Sequence, residues 1–191
     1  MGPNADSMRM TKESLRGDSD SLIEEKNTSL PNVIIIGAAK SATTTLTTIL
    51  PRHPDIFISK PKEPKFFGRY HSKGWDWYAS RFKDGSLLAL RGEASTLYAS
   101  RMKSFRRAPE LMRRCLPHLK LIYIVRHPLD RIVSQWRHYR GRRPDCADFR
   151  DLMDDRTLRR LVVGCSLYYR HLSSFRKHFP DEQIHCMTFE D

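Results

Sequence analysis

Apolar positions in this chain fall into short unbroken runs and into helical stripes, and the two kinds alternate. "NVIIIGA" (32–38) is apolar at successive positions, the pattern of a strand covered on both faces rather than one with a wet side. "KLIYIV" (120–125) has the same character. "DIFIS" (55–59) and "LLALRGE" (87–93) are predicted as further strands, and "QIHCMTF" (183–189) as a weaker one. Between these runs lie helical stretches. One spans 42–50 and is expected to stop at Pro51. A second, "PLDRIVSQWRHYRG" (128–141), has Pro128 at its first helical position and Gly141 as its stop. Its Ile132, Val133, Trp136 and Tyr139 form an apolar stripe expected to face the core. The third, "SLYYRHLSSFRKHF" (166–179), precedes Pro180. Strands and helices alternate from Pro31 onward, which predicts an α/β domain over 31–191 with a central, mainly parallel sheet. Residues 1–30 are polar, carry many charges and contain no aromatic residue, and are expected to form a mobile tail.

Composition narrows the partners. The 191 residues hold 34 Lys and Arg against 22 Asp and Glu, a net charge of +12, which favours an anionic partner over an uncharged one. A solvated basic surface is the plainer alternative. No apolar run reaches the roughly 20 residues of a membrane span, and the opening residues lack the apolar core of a signal peptide. Cys115, Cys146, Cys165 and Cys186 are widely spaced with no CxxC pair, so no metal site is expected. Reduced thiols and a cytoplasmic location are the corresponding expectation.

Two segments carry candidate chemistry. Gly37 to Thr45 follows a predicted strand and opens a helix, where unpaired backbone N–H groups and a partial positive charge suit a phosphate. Lys40 adds a point charge there, and Ser41, Thr43, Thr44 and Thr45 add hydroxyls. The spacing departs from the GxxxxGK[ST] loop of ATP-binding proteins, because the lysine comes three residues after Gly37 with no glycine before it. In "YIVRHPLDRIVSQW", Arg126 ends a strand and Ser134 lies eight residues later on the next helix. Both are placed to hold a second phosphate at the carboxyl edge of the sheet. The alternative for Arg126 is an ion pair with Asp130. A nucleotide kinase and a nucleic-acid-binding module are the rival classes. Nothing of an RRM, KH or zinc pattern supports the latter.

Taken together, "GAAKSATTTL" and "IVRHPLDRIVSQW" resemble the nucleotide-binding signature of sulfotransferases that use 3′-phosphoadenosine 5′-phosphosulfate (PAPS). "SKPKEPKFFGRYHSKGWDWYASRF" is similar to the glycan-modifying branch, including the heparan sulfate enzymes. The resemblance covers about 33–190 and implies a three-layer α/β/α fold of the P-loop NTPase-like kind. It implies PAPS as donor, no metal, and transfer of a sulfuryl group to a hydroxyl or amine of an acceptor, most naturally an anionic or carbohydrate one. Lys40, Ser41, Ala42, Thr43, Thr44 and Thr45 match the 5′-phosphosulfate loop, and Arg126 and Ser134 the 3′-phosphate site. Lys40 then has a catalytic role, and Glu63 in "KEPKFF" matches the general base, the alternative being an ion pair with a lysine of its own segment. Lys62, Lys65 and Glu93 are acceptor-side candidates. Lys60, Arg69 and the cluster Arg101, Lys103, Arg106 and Arg107 are further candidates for an acidic acceptor. Trp75, Trp77 and Tyr78 have helical spacing and are expected to pack rather than to stack on sugar. Ala42 stands where the family has glycine. Ala94 stands where some glycan enzymes have a lysine, so the acceptor is not carried over from them. The chain ends at "HCMTFED", short of the basic, glycine-containing loop of the family, and is expected to be C-terminally truncated.

Overall fold

A computed structural model describes residues 30–100, 102–143, 145 and 148–190. Five strands form one sheet: β1 Val33–Gly37, β2 Ile56–Ile58, β3 Leu90–Ala94, β4 Lys120–Val125 and β5 Ile184–Thr188. Their order is β2-β3-β1-β4-β5, and every pairing is parallel. The expected α/β fold with a central parallel sheet is observed. The apolar run at β1 has the physical cause inferred for it, since β1 is the middle strand. Ile34 and Ile36 join the main core on one face, while the side chains of Val33 and Ile35 alternate to the other, and all four are buried.

The helices are α1 Thr43–Ile49, α2 Gly74–Ala79, α3 Ala108–Cys115, α4 Pro128–Arg140, α5 Arg156–Val162 and α6 Tyr168–Arg176. Phe66, Phe67, Tyr78, Tyr98 and Phe105 build the core against Ile34 and Ile36, with Phe175 and Phe179 from the α6 region. Phe66 stacks flat on Tyr78, with ring centroids 4.2 Å apart and planes 6° apart. Trp75 packs 4.8 Å from Phe66, so the aromatic cluster of this segment serves packing.

The helix expected over 42–50 is α1, which ends at Ile49 before Pro51, and Pro51 itself lies in a following 3₁₀ turn, Leu50–Arg52. Several expectations are corrected. The strand expected over 87–93 begins at Leu90, and Leu87 is almost wholly exposed. On α4 the fully buried positions are Arg131 and Gln135, while Ile132, Val133, Trp136 and Tyr139 are only half-buried. The third expected helix, 166–179, is shorter: a 3₁₀ turn at Gly164–Ser166 precedes α6. Leu30, placed with the tail, is buried in the core. Otherwise that tail, like Arg101 and Cys146, lies outside the described residues. Among the described residues no helix is long and apolar enough to cross a membrane.

Parallel pairing places the carboxyl ends of β1, β3 and β4 on one edge, with β1 at the point where the strand order diverges to either side. Ligands of open α/β sheets bind at such an edge. Gly37 closes β1 where the register to β4 shifts. Its φ is +154°, and an added Cβ would lie 3.1 Å from both the Thr96 carbonyl oxygen and the Tyr123 ring. The chain turns out of the sheet there because glycine allows both the angle and the approach.

Candidate active site

The loop between β1 and α1 is built on left-handed backbone. Lys40 has φ 72° and Ala42 φ 54°. The Ala38 N–H donates to Ile124 O of the neighbouring strand at 2.7 Å, and the Leu46 N–H donates to Ala42 O, closing the first turn of α1. No side chain caps that turn. Thr43 is buried and Thr44 exposed, and their hydroxyls are joined by a third residue. Lys62 Nζ donates to Thr43 Oγ1 at 3.0 Å and to Thr44 Oγ1 at 2.9 Å. Half-burial lowers the Lys62 pKa from its ordinary value, the Glu63 carboxylate opposes that, and the Lys40 charge adds to it.

Glu63 follows in the same segment with φ 67°, and Lys65 has φ 51°. The Glu63 N–H donates to Ala94 O at the end of β3. Its Oε1 accepts the Thr96 backbone N–H at 3.2 Å and the Thr96 hydroxyl at 2.8 Å, and Lys65 Nζ lies 3.6 Å from Oε2. The ion pair with a lysine of its own segment is therefore present, and it sits inside the cavity rather than in place of it. A cavity of ≈ 520 Å³ is lined by Lys40, Thr43, Lys62, Glu63, Lys65 and Thr96, and by Ser134 and His138 from α4.

A second cavity of ≈ 570 Å³ is lined by Lys40, Arg126, Asp130, Ser134, Arg137 and His138. Lys40, Ser134 and His138 thus line both. The Arg126 guanidinium lies 4.7 Å from the centre of the Phe189 ring, and among the described residues its buried Nε has no hydrogen-bond partner. Among the described residues no ion pair joins it to Asp130. Its carbonyl accepts the Tyr168 hydroxyl at 2.9 Å. Half-burial of Tyr168 pushes that phenol up, with the Arg131 charge acting against it.

The structure does not gather every expected residue. Ser41 is fully buried and lines neither cavity, and exposed Thr45 lines neither. Ala42 does line the first. Glu93 is fully buried behind the site. Its Oε1 accepts the Tyr78 hydroxyl at 3.0 Å and the Tyr98 hydroxyl at 2.8 Å, and its Oε2 accepts the Ser95 hydroxyl at 2.7 Å. Burial pushes its carboxyl up to about 7, against these three bonds. The same hydroxyls hold the Glu63 segment: Ser95 Oγ accepts the Lys65 N–H and the Tyr98 hydroxyl the Phe67 N–H. Arg131, unnoticed in the sequence, is a buried tie. Its Nη1 donates to Ala39 O at 3.3 Å beside Lys40, and its Nε and Nη2 donate to Ser166 Oγ and Val162 O. Thr96, Arg137 and His138 were also missed. The last two follow from spacing, since Asp130, Ser134, Arg137 and His138 share one face of α4. His138 has its pKa lowered, first by burial and then by the Lys40 and Arg142 charges. Cys115, Cys165 and Cys186 are free thiols, and among the described residues no group of three could hold a metal.

A family model described as the sulfotransferase domain matches residues 30–191. The chain is 30% identical, over 169 residues, to human heparan sulfate glucosamine 3-O-sulfotransferase 3A1, covering 85% of this chain and 40% of that protein. It is 38% identical over 117 residues to the membrane-associated sulfotransferase kil1 of Dictyostelium discoideum, covering 60% of this chain and 24% of that one. The chain thus spans less than half the length of the curated relatives it matches. A sulfotransferase crystal structure from Alicyclobacillus acidocaldarius superposes with a TM-score of 0.73 at 27% identity, over 84% of this chain and 73% of that one. A mouse sulfotransferase solved with PAP has a TM-score of 0.51 at 20% identity, over 82% of this chain and 51% of that one, a likeness of fold alone.

Proposed function

The chain belongs to the sulfotransferase domain family, and we propose that it transfers a sulfuryl group from PAPS to a hydroxyl or amine of a carbohydrate acceptor. The observation that carries this is the pair of adjoining cavities that share Lys40 and Ser134, one holding Glu63 and the other Arg126. A donor with phosphates at both ends of one nucleoside calls for two cationic sites beside one reacting site. The residues fit it: the unpartnered Nε of Arg126 suits the 3′-phosphate with Ser134, while Lys40, Thr43 and Thr44 suit the 5′-phosphosulfate. The donor supplies an activated sulfur whose leaving group is a phosphate.

The chain's own residues supply the rest. The Glu63 carboxylate, oriented by Thr96 and Lys65, takes the proton of the acceptor hydroxyl. The Lys40 ammonium neutralises the charge that develops on the departing phosphate oxygen, an interaction stronger in the transition state than before it. Lys62 stands nearer the donor loop than the acceptor side, since it is bonded to both threonine hydroxyls. The heparan sulfate enzymes among the relatives support a glycan acceptor. A kinase has no comparable support, since its magnesium-binding loop is absent from the β1–α1 spacing.

The test is transfer of labelled sulfate from PAPS to a panel of glycans and small alcohols. Label appearing on a glycan, and lost in Lys40→Ala, is the expected result. Phosphate transfer from ATP in place of sulfate would overturn the proposal.

A further inference from the structure

Away from the two cavities lies a third, of ≈ 780 Å³. Six cationic side chains line it, Lys103, Arg106, Arg156, Arg159, Arg160 and Arg170, and among the described residues no carboxylate does. All six are exposed, and among the described residues none is ion-paired. Three surface arginines outside the groove are ion-paired, Arg107 with Glu110, Arg140 with Asp148 and Arg176 with Asp181. Cations left unpaired around one concavity raise a positive potential that an incoming polyanion relieves.

The groove is built at a fixed position relative to the donor loop. Arg156, Arg159 and Arg160 share one face of α5 by their i, i+3 and i+4 spacing. The end of α5 is held through Val162 O by Arg131, whose other nitrogen holds Ala39 O beside Lys40. The opposite wall comes from the segment after β3. That segment gives Thr96 to the Glu63 cavity and then Ser100, Lys103 and Arg106 to the groove.

We propose that this groove binds a stretch of linear anionic polysaccharide bearing sulfates or carboxylates. Guanidinium forks pair with both groups bidentately. Among the described residues no aromatic side chain lines the groove to stack bases, which argues against a nucleic acid. That the bound polysaccharide is the acceptor, extending from the sugar at Glu63, rests on the transfer reading above. That the groove binds it does not.

The test measures binding to the full chain without donor, using a fully sulfated oligosaccharide of about eight sugars. An unsulfated one of equal length and a single-stranded oligonucleotide of equal charge are the other two arms. Arg156→Gln/Arg160→Gln on α5 and Lys103→Gln/Arg106→Gln on the opposite wall are the variants. Each should weaken the sulfated oligosaccharide about tenfold or more and flatten its log Kd against log salt slope by about two ions. Both should keep the wild-type melting temperature. Unchanged affinity and slope in both variants, or tighter binding of the oligonucleotide, would overturn the proposal. If the chain transfers sulfate, both variants should raise KM for a long anionic acceptor and leave a small alcohol unaffected. Weakened binding in a chain that transfers no sulfate would leave the groove standing and remove the transfer reading.

Discussion

Lys62 Nζ donates to Thr43 Oγ1 at 3.0 Å across 19 residues of sequence, and that bond joins the segment of the candidate base to the first turn of the donor loop. The two halves of the site are thereby braced against each other. Lys62→Ala and Thr43→Ala should each weaken binding of adenosine 3′,5′-bisphosphate. Because they share one bond, the double variant should lose less than the sum, with a coupling of about 0.5–3 kcal/mol. A calorimetric double-mutant cycle checks this, and strict additivity would mean that the bond does not act on the donor site.

Glu63→Gln keeps the shape of the side chain and the Thr96 bonds that an oxygen accepts, and removes the proton acceptor. Labelled-sulfate transfer should fall by roughly 10²–10⁴. The melting-temperature rise caused by the bisphosphate should persist, since the proposed reading assigns Glu63 to the acceptor side. Near-normal turnover would remove Glu63 as the base.

Ala42 holds a left-handed angle, φ 54°, a conformation that costs an L-residue roughly 1–2 kcal/mol and costs glycine little. Ala42→Gly should therefore raise the melting temperature by about 2–4 °C per kcal/mol relieved. A lower melting temperature would show that the gain in unfolded-chain entropy outweighs the strain.

Glu93 sets a pH dependence. Its carboxyl has an ordinary value of 4.5 and rises to about 7 in the buried site. The folded state therefore holds the proton longer than the unfolded one. The group's contribution is fully present below about pH 4.5 and is lost as pH rises to about 7. The lost stability is on the order of 3 kcal/mol at 1.36 kcal/mol per pKa unit. Glu93→Gln carries no titrating proton, so its stability relative to the parent should rise across that window. Denaturant melts at pH 4.5 and 7.5 measure the difference, and a constant gap between the two proteins would contradict the assignment.

How much of this was legible in the sequence depended on whether the signal was local. β1 was readable because being covered on both faces forces consecutive apolar residues, and the Lys40 loop because strand, turn and helix follow in order. Arg126 and Ser134 were readable from their eight-residue spacing on one strand–helix unit. The environment of Glu93 was not, because the Tyr78 hydroxyl reaches it only when α2 folds over β3, and the turn that aims the nearby Ser95 and Tyr98 hydroxyls back at it leaves no mark in the apolar pattern. Arg131 was hidden for the opposite reason: a charged residue in a helix pattern reads as solvated, yet this one reaches three neutral oxygens in the interior. The basic groove draws on residues about 50 positions apart, and charge counting gave the surplus without its place.

The central claim is that two phosphate sites flank Lys40, and the most direct measurement compares melting temperatures with adenosine 3′,5′-bisphosphate and with ATP plus magnesium. At about 100 times Kd a ligand stabilises by roughly 2.7 kcal/mol, or about 5–10 °C for a chain of this size. The bisphosphate should give a shift of that order and ATP a smaller one. Arg126→Ala should erase the difference, because the 3′-phosphate is what separates the two ligands. Equal shifts in the parent chain, or a preference that survives Arg126→Ala, would contradict the account.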